Sequence, residues 1–183
     1  MRSSPARCAC GEPVDPFAAF VAALSSAGVR FVLIGVWGAN LHATSAGVVF
    51  TTQDYDLFLP PDADNLLKAW ETAEAVGLSL WAGDEPLDMP RDHWLAERIV
   101  ERRIVVRGTD GQGFDVDLSL VMAGFDFETV WAERRIFIVE GVNIPVARLR
   151  HIVESKAAAG RLKDRLFLAT HEENLRQLLG RGE

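Results

Sequence analysis

Two spacings of apolar residues alternate along this chain and predict a mixed α/β fold. Apolar residues at intervals of three and four indicate helices with one buried face, whereas short apolar or alternating runs indicate strands. Glycines and prolines separate these segments, as is typical of turns. The predicted helices cover residues 15–27, 37–43, 62–75, 147–159 and 162–179, and the predicted strands cover residues 31–34, 48–59, 98–107, 114–120, 136–139 and 142–144.

Turns and helix ends divide the chain into one core and a set of C-terminal helices. The glycine-rich residues 108–113 predict a hairpin between two strands, and Glu140-Gly141 predicts a second one. Residues 81–92, rich in glycine, proline and acidic residues, predict a loop near a functional site. We expect a flexible lead-in over residues 1–14, a core over residues 15–145, and C-terminal helices packed on the core over residues 146–183.

The acidic residues Asp54 and Asp56 form the most informative polar pattern. On a strand, side chains two residues apart project from the same face, so these carboxylates would lie a few ångströms apart. Two ionised carboxylates that close repel each other, and unless a cation lies between them one pKa rises or the strand bends toward solvent. Oxygen ligands suit Mg²⁺ or Mn²⁺, and proteins usually hold Mg²⁺ with one or two carboxylates and phosphate oxygens of a substrate. The pair therefore predicts a site for a divalent metal.

A second acidic face follows on the strand predicted over residues 114–120. Its apolar side chains alternate with Asp115, Asp117 and Ser119, which share the opposite face. If this strand lies beside the strand that carries the acidic pair, three or four carboxylates converge, as a two-metal centre for phosphoryl transfer requires. One ion would polarise an acceptor hydroxyl, and the other would neutralise a triphosphate and the leaving pyrophosphate.

Three parts of the chain resemble the minimal nucleotidyltransferases of the DNA polymerase β superfamily, particularly the small bacterial group that includes AbiEii and MenT type toxins. They are LIGVWGANLH (33–42) with TQDYDL (52–57), VDL (116–118) with AGFDFE (123–128), and SKAAAGRLKD (155–164). The resemblance implies a polymerase β type core with a mixed or antiparallel sheet and a C-terminal helical pair. It also implies a Mg²⁺- or Mn²⁺-dependent enzyme that transfers NMP from an NTP to an acceptor hydroxyl and releases pyrophosphate.

The same resemblance implies which residues act. Metal would be bound by the acidic pair and by the third acid Asp117, with Asp115 as an auxiliary or structural acid. Two positions depart from the family pattern: Val36 stands where a second glycine or a serine is usual, and Phe50 stands where an arginine is frequent. The implied catalytic residues are Asp54, Asp56, Asp117 and Lys156, and the implied nucleotide-binding residues are Gly35, Val36, Gly38, Thr52, Lys156, Lys163 and Asp164.

The two departures motivate an alternative from a different class, a catalytically silent nucleotide-binding or toxin–antitoxin partner module of the same fold. The glycines also admit a structural interpretation, since Gly35 could end a strand and Gly38 could allow close helix packing. For an active enzyme, the NTP is the first partner, and tRNA or other RNA, a protein and a small molecule all fit as the acceptor. An antitoxin is a further partner if the enzyme is a toxin.

Composition narrows the partners and the location. The formal net charge of −7 argues against a chain built to coat nucleic acid. No apolar run approaches the roughly 18 to 20 residues of a membrane helix, so we expect no membrane partner and a cytoplasmic protein. Cys8 and Cys10 are too close for an easy mutual disulfide, and we assign them no role. A basic run that could face a triphosphate or RNA comprises Arg148, Arg150, Lys156, Arg161, Lys163 and Arg165.

Overall fold

Helices and strands alternate along the chain, as the apolar spacings predict. The computed structural model describes residues 15–180 except for the side chain of Ser45, so the predicted lead-in with Cys8 and Cys10 lies outside the described residues. The helices are α1 (Pro16–Ser26), α2 (Gly35–Ala43), α3 (Ala63–Ala75), α4 (His93–Arg102), α5 (Phe127–Glu133), α6 (Leu149–Ala159), α7 (Leu162–Thr170) and α8 (Glu172–Gly180), with a 3₁₀ turn over Thr44–Ala46. The strands are β1 (Val32–Ile34), β2 (Tyr55–Phe58), β3 (Ser79–Ala82), β4 (Glu85–Pro86), β5 (Val106–Thr109), β6 (Asp115–Ser119), β7 (Arg135–Val139) and β8 (Val142–Val146).

The strands form one mixed sheet, which confirms the predicted α/β class. Their order is β4-β3-β5-β6-β2-β1-β8-β7, and both predicted hairpins, β5–β6 and β7–β8, are present. β2 runs antiparallel to β1 and parallel to β6. In this register Asp56 lies opposite Ile34 on one side and Asp117 on the other. Since neighbouring strands are about 4.8 Å apart, the sheet brings together two acids that are far apart in the chain.

α1 and β1 form where the sequence predicts them. The carboxylate of Asp15 caps α1 by accepting hydrogen bonds from the backbone N–H groups of Phe17 at 2.7 Å and Ala18 at 3.1 Å. Apolar side chains of α1 join the main core, and Val32 and Leu33 of β1 are fully buried. Both elements have the buried faces that their apolar spacing indicates.

The strand predicted over residues 48–59 is wrong in its first half. Regular pairing begins only at Tyr55, where β2 starts. Before it, the side chain of Asn40 takes the place of a neighbouring strand: its amide nitrogen donates to the Phe50 carbonyl at 2.8 Å, and its amide oxygen accepts from the Phe50 N–H at 2.6 Å. The segment before β2 is therefore held to α2 as a loop, and Asp54 lies at the end of that loop.

Two predictions between β2 and β6 are also wrong. The strand predicted over residues 98–107 is helical in its first half, α4, because Leu95 and Ile99 are buried one turn apart and Asp92 caps the helix by accepting from the Leu95 N–H at 3.0 Å. The remainder of that segment contains the start of β5. The loop predicted over residues 81–92 includes β4 and the end of β3, which pair at the edge of the sheet.

The C-terminal helices differ from the predicted pair. The helix predicted over residues 162–179 is divided at His171 into α7 and α8. Phe50, which is 1 % exposed, packs edge-on against the rings of Phe167 and His171 near this break, with ring centroids at 5.3 and 4.8 Å. Within residues 15–180, every helix is too short or too polar to cross a bilayer.

Candidate active site

The turn from β1 into α2 lies directly against Asp56. α2 begins at Gly35, immediately after Ile34 ends β1, and Gly35 has a φ of +68°. A Cβ on Gly35 would lie 2.0 Å from a carboxylate oxygen of Asp56. Both the left-handed backbone and the close approach require glycine at this position. The helix therefore starts at the carboxylate, with no space for a side chain between them.

The first turn of α2 is suited to an anion. The first backbone N–H groups of a helix have no partner inside the helix, and Ile34 at the N-cap makes no side-chain capping bond. Ile34, Gly35 and Val36 line a cleft of about 680 Å³. The N–H groups and the helix dipole together favour a phosphate at such a position. The contact of Gly35 and Val36 with a triphosphate stays a prediction, and this placement supports it.

Tyr55 anchors the start of β2 next to the acidic pair. Its ring stacks on Phe17 at 4.0 Å and on Trp37 at 4.7 Å between centroids. Burial, with a smaller effect of the Asp15 charge, raises the pKa of Tyr55 to about 12, so the phenol stays neutral. Because adjacent side chains of a strand point to opposite faces, this aromatic stack directs Asp56 to the other face.

Asp56 and Asp117 line the same cleft from neighbouring strands, but their surroundings differ. Burial, and then the negative charge of Asp117, raises the pKa of Asp56. The charges of Lys156 and Lys163 lower it, but among residues 15–180 neither forms an ion pair with Asp56. Asp56 is thus a largely enclosed carboxylate whose charge is incompletely offset, as expected of a group that receives a cation.

Asp117 is held by an arginine that the sequence analysis did not identify. Nε and Nη2 of Arg107 donate to the two carboxylate oxygens of Asp117 at 2.7 and 3.0 Å, and Nη2 lies 3.7 Å from the carboxylate of Asp54. The hydrogen bond to Asp117 raises the pKa of Arg107. The sequence holds a signal for this pair, because a hairpin centred on Gln112 places Arg107 opposite Asp117, which is the observed register.

α6 and α7 bring cations to the cleft. Nζ of Lys156 donates to one carboxylate oxygen of Asp164 at 3.1 Å, and Nε of Arg161 donates to the other at 2.6 Å. Asp164 is 1 % exposed; burial alone would raise its pKa, but the hydrogen bonds from Arg161 and Lys156 lower it below its ordinary value. Nζ of Lys156 also lies 4.9 Å from the ring centroid of Phe167. These contacts hold the ammonium group of Lys156 at the cleft.

The cleft brings together the predicted site residues except Gly38 and Asp115. Gly38 does not line it, since a Cβ there would lie 2.9 Å from Ile152 and 3.2 Å from the Leu33 carbonyl oxygen. Gly38 therefore allows α2 to pack closely on α6 and β1, which agrees with the alternative that this glycine serves helix packing. Asp115 lies opposite Thr109 in the hairpin and is also outside the lining. The predicted residues that line the cleft are Gly35, Val36, Thr52, Asp54, Asp56, Asp117, Lys156, Lys163 and Asp164.

Phe167 and His171 line the cleft without any sequence prediction. Nothing in their local sequence marks them, because their position depends on the break between α7 and α8 and on packing against Phe50. They add an aromatic surface beside the cations of α6 and α7.

The acids fit a divalent cation as a pair and not as a trio. Among residues 15–180 no group of three His, Cys, Asp or Glu side chains is arranged to hold a metal ion. The guanidinium of Arg107 binds Asp117 and lies beside Asp54. Asp56 and Asp117 are nevertheless adjacent oxygen donors, and Mg²⁺ needs only one or two carboxylates when a triphosphate supplies further oxygens. The pair therefore fits Mg²⁺ that binds together with a nucleotide.

Among known proteins, matches to this chain are found in solved structures. No protein-family model matches the chain, and no curated protein matches it. Five chains of solved structures match, among them a candidate nucleotidyltransferase from H. pylori, which is 16% identical over 88% of this chain and 72% of its own, with a TM-score of 0.37. A likeness this distant does not establish a shared fold or activity. The function proposed below therefore depends on the geometry of the cleft and on the sequence motifs.

Asp164→Asn is expected to lower the free energy of unfolding by about 3 kcal/mol at neutral pH, because Lys156 and Arg161 lose their buried counter-ion. The pKa of Asp164 is lower in the folded than in the unfolded protein, so this stability is present above the unfolded value of about 3.9 and is lost as the pH falls through the folded value. Urea unfolding should therefore show a smaller difference between variant and wild type near pH 3. The exposed Glu154 provides a control, Glu154→Gln, which should change stability by less than about 0.5 kcal/mol. Equal stability of Asp164→Asn and wild type at neutral pH would contradict a stabilising role.

Proposed function

We propose that this protein is a nucleotidyltransferase of the DNA polymerase β type, which transfers NMP from an NTP to an acceptor hydroxyl with Mg²⁺ or Mn²⁺. One observation carries the proposal: a single cleft combines the adjacent acids Asp56 and Asp117, the start of α2 at Gly35, and the ammonium group of Lys156. These groups supply metal ligands, amide donors for phosphate, and a cation for the leaving group.

The triphosphate would lie between the start of α2 and the cations of α6 and α7. Backbone N–H groups at Gly35 and Val36 would donate to phosphate oxygens, while Lys156 and Lys163 would offset their charge. Thr52 lines the same cleft and would offer a hydroxyl to the nucleotide. The volume of about 680 Å³ falls within the roughly 300–1,000 Å³ of typical ligand pockets.

The acids would bind the metal, and one of them would accept the proton of the acceptor hydroxyl. Asp56 and Asp117 would be the ligands, and a bound dication would supply charge neutralisation and acidify the acceptor hydroxyl. Asp54, at the end of the loop before β2, would become a further ligand only if Arg107 leaves the acids. Asp117 would accept the hydroxyl proton as the acceptor oxygen bonds to the α-phosphorus. The bond from that phosphorus to the bridging oxygen breaks, and pyrophosphate leaves with the bonding electrons, its charge stabilised by Lys156.

Label transfer tests this proposal. The full chain is incubated with Mg²⁺, each of the four NTPs labelled at the α-phosphate, and total RNA and protein as acceptors. We expect label from at least one NTP to become covalently attached to an acceptor, with release of an equal amount of pyrophosphate. Mass analysis of the product then identifies nucleotide and acceptor together, and a modified tRNA or protein would favour a toxin with an antitoxin partner.

Lys156→Met should lower the rate of label transfer roughly 100-fold, because the transition state loses a positioned cation. Lys68→Met is the matched control: Lys68 lies on α3 outside the cleft, so the variant removes the same charge and should transfer label as the wild type does. Absence of pyrophosphate release with every NTP and acceptor would contradict the proposed activity.

A catalytically silent nucleotide-binding module of the same fold is the second candidate. Phe50 favours it, because the side chain at a position where the resembled family frequently has an arginine is buried in the core and offers no phosphate contact. Calorimetry would then show NTP binding without release of pyrophosphate across the same acceptors.

A further inference from the structure

Arg107 binds the acids that the proposed reaction needs for a metal. Its guanidinium makes two hydrogen bonds with Asp117, at 2.7 and 3.0 Å, in the fork geometry that joins an arginine to a carboxylate. The same side chain lies 3.7 Å from Asp54. One guanidinium thus spans two of the three acids predicted to bind metal.

The sheet holds the backbone of Arg107 but leaves its side chain able to move. Arg107 on β5 lies opposite Asp117 on β6, with further residue pairs of the ladder on both sides. The side chain of Arg107 is 41 % exposed, against 20 % for Asp117, and it lines the cleft. The guanidinium can therefore swing away from Asp117 without any change in the sheet.

Arg107 and a divalent cation compete for Asp117. The guanidinium uses both carboxylate oxygens, and its positive charge repels a dication at the same place. In the absence of a dication, the guanidinium offsets the repulsion among the acids. When a metal-bound triphosphate enters, the metal offsets that repulsion instead, and the phosphates offer the guanidinium another partner for paired hydrogen bonds.

We propose that Arg107 is an exchangeable counter-ion of this site, a positioning residue that holds Asp117 and Asp54 in the nucleotide-free protein and passes to the triphosphate when metal and nucleotide bind. This inference rests on the proposed function, because it concerns the same metal site. It makes metal binding depend on the nucleotide: a dication alone must displace the guanidinium, and the triphosphate provides that guanidinium with a new partner. Metal and nucleotide then bind cooperatively, each strengthening the other by the same factor.

Binding of Mn²⁺ tests this inference without any turnover. Calorimetry compares the wild type with Arg107→Gln, first as protein alone and then with an excess of the four α,β-methylene NTPs, which resist transfer. Without nucleotide, we expect the variant to bind Mn²⁺ with a Kd roughly 10-fold or more below that of the wild type. With the analogues the difference should disappear or reverse, because only the wild type gains the contact between Arg107 and phosphate.

Arg98→Gln is the matched control. Arg98 lies on α4 outside the cleft and pairs with Glu101, so this variant removes the same charge and should bind Mn²⁺ as the wild type does. Thermal melting checks that each variant is folded. Arg107→Lys keeps the positive charge but cannot make the paired hydrogen bonds of a guanidinium. It replaces Arg107→Gln if that variant does not fold. Without nucleotide, it should also bind Mn²⁺ more tightly than the wild type does.

The outcomes separate this inference from the proposed function. One outcome would overturn the counter-ion role and leave the proposed function standing. In it, the wild type binds Mn²⁺ when the analogues are present, but without analogues the Arg107 variants bind Mn²⁺ no more tightly than the wild type does. Tighter binding by the same factor with and without the analogues overturns the passage of Arg107 to phosphate. If no protein binds Mn²⁺ with any analogue, the proposed function fails and this inference fails with it.

Discussion

Asp56→Asn is expected to abolish the proposed nucleotidyl transfer and to stabilise the fold. Transfer should fall on the order of 10³-fold or more, because the proposed metal site loses a ligand and the transition state would lose several kcal/mol of stabilisation. The free energy of unfolding should rise at neutral pH. Burial and the charge of Asp117 raise the pKa of Asp56, which means that the ionised carboxylate is less favourable in the folded than in the unfolded protein, and asparagine removes that charge at similar shape.

Label transfer and urea unfolding of the same preparations measure both effects. Asp88→Asn, in an exposed loop, is the control and should change stability by less than about 0.5 kcal/mol with transfer unchanged. Mn²⁺ with the α,β-methylene NTPs should raise the Tm of the wild type but not that of Asp56→Asn. Loss of both activity and stability would show that Asp56 supports the fold, and retention of activity would contradict the proposed site.

Gly35→Ala is expected to lower transfer on the order of 100-fold. The added Cβ must displace the Asp56 carboxylate, whose oxygen would lie 2.0 Å away, and a misplacement of about 1 Å at a reacting centre costs roughly that factor. The backbone adds a second cost, because a side chain at a φ of +68° is strained by about 1–2 kcal/mol. Label transfer measures the first effect, and urea unfolding measures the sum of strain and displacement.

Gly28→Ala separates these two effects. Gly28 has almost the same φ, +70°, but a Cβ there would meet nothing within 4 Å. This variant should lose about 1–2 kcal/mol of stability and transfer label as the wild type does. The difference in activity between the two variants therefore isolates the contact with Asp56. If Gly35→Ala were as active as Gly28→Ala, the placement of Asp56 against α2 would be wrong.

Local signals predicted the elements whose stabilising contacts are close in sequence. The Asp15 cap and the apolar spacing after it predicted α1, and the glycines between β5 and β6 predicted their hairpin. Prediction was wrong where a distant contact overrides local tendency. Val48, Val49 and Phe50 favour a strand, yet Asn40 holds Phe50 as part of a loop, because its amide satisfies both backbone groups of that residue.

The break within the C-terminal helices has the same kind of origin. Leucines recur at helical spacing through residues 162–179, and no proline interrupts them. The division at His171 accompanies packing of Phe50 against both Phe167 and His171, a contact across more than a hundred residues that no local pattern contains.

The candidate site shows the same division between local and distant information. Asp56 and Asp117 can be chosen from the sequence, because each lies on a strand whose alternation shows which side chains share a face. Asp54 was predicted by the same rule but lies at the end of the loop before β2, and Lys156 follows from the resemblance to a family. Neither source shows that Asp56 touches Gly35 or that Asp117 is bound by Arg107. Those contacts arise only when β1, β2, β5 and β6 are assembled in register, since each depends on the distance between separate segments of the chain.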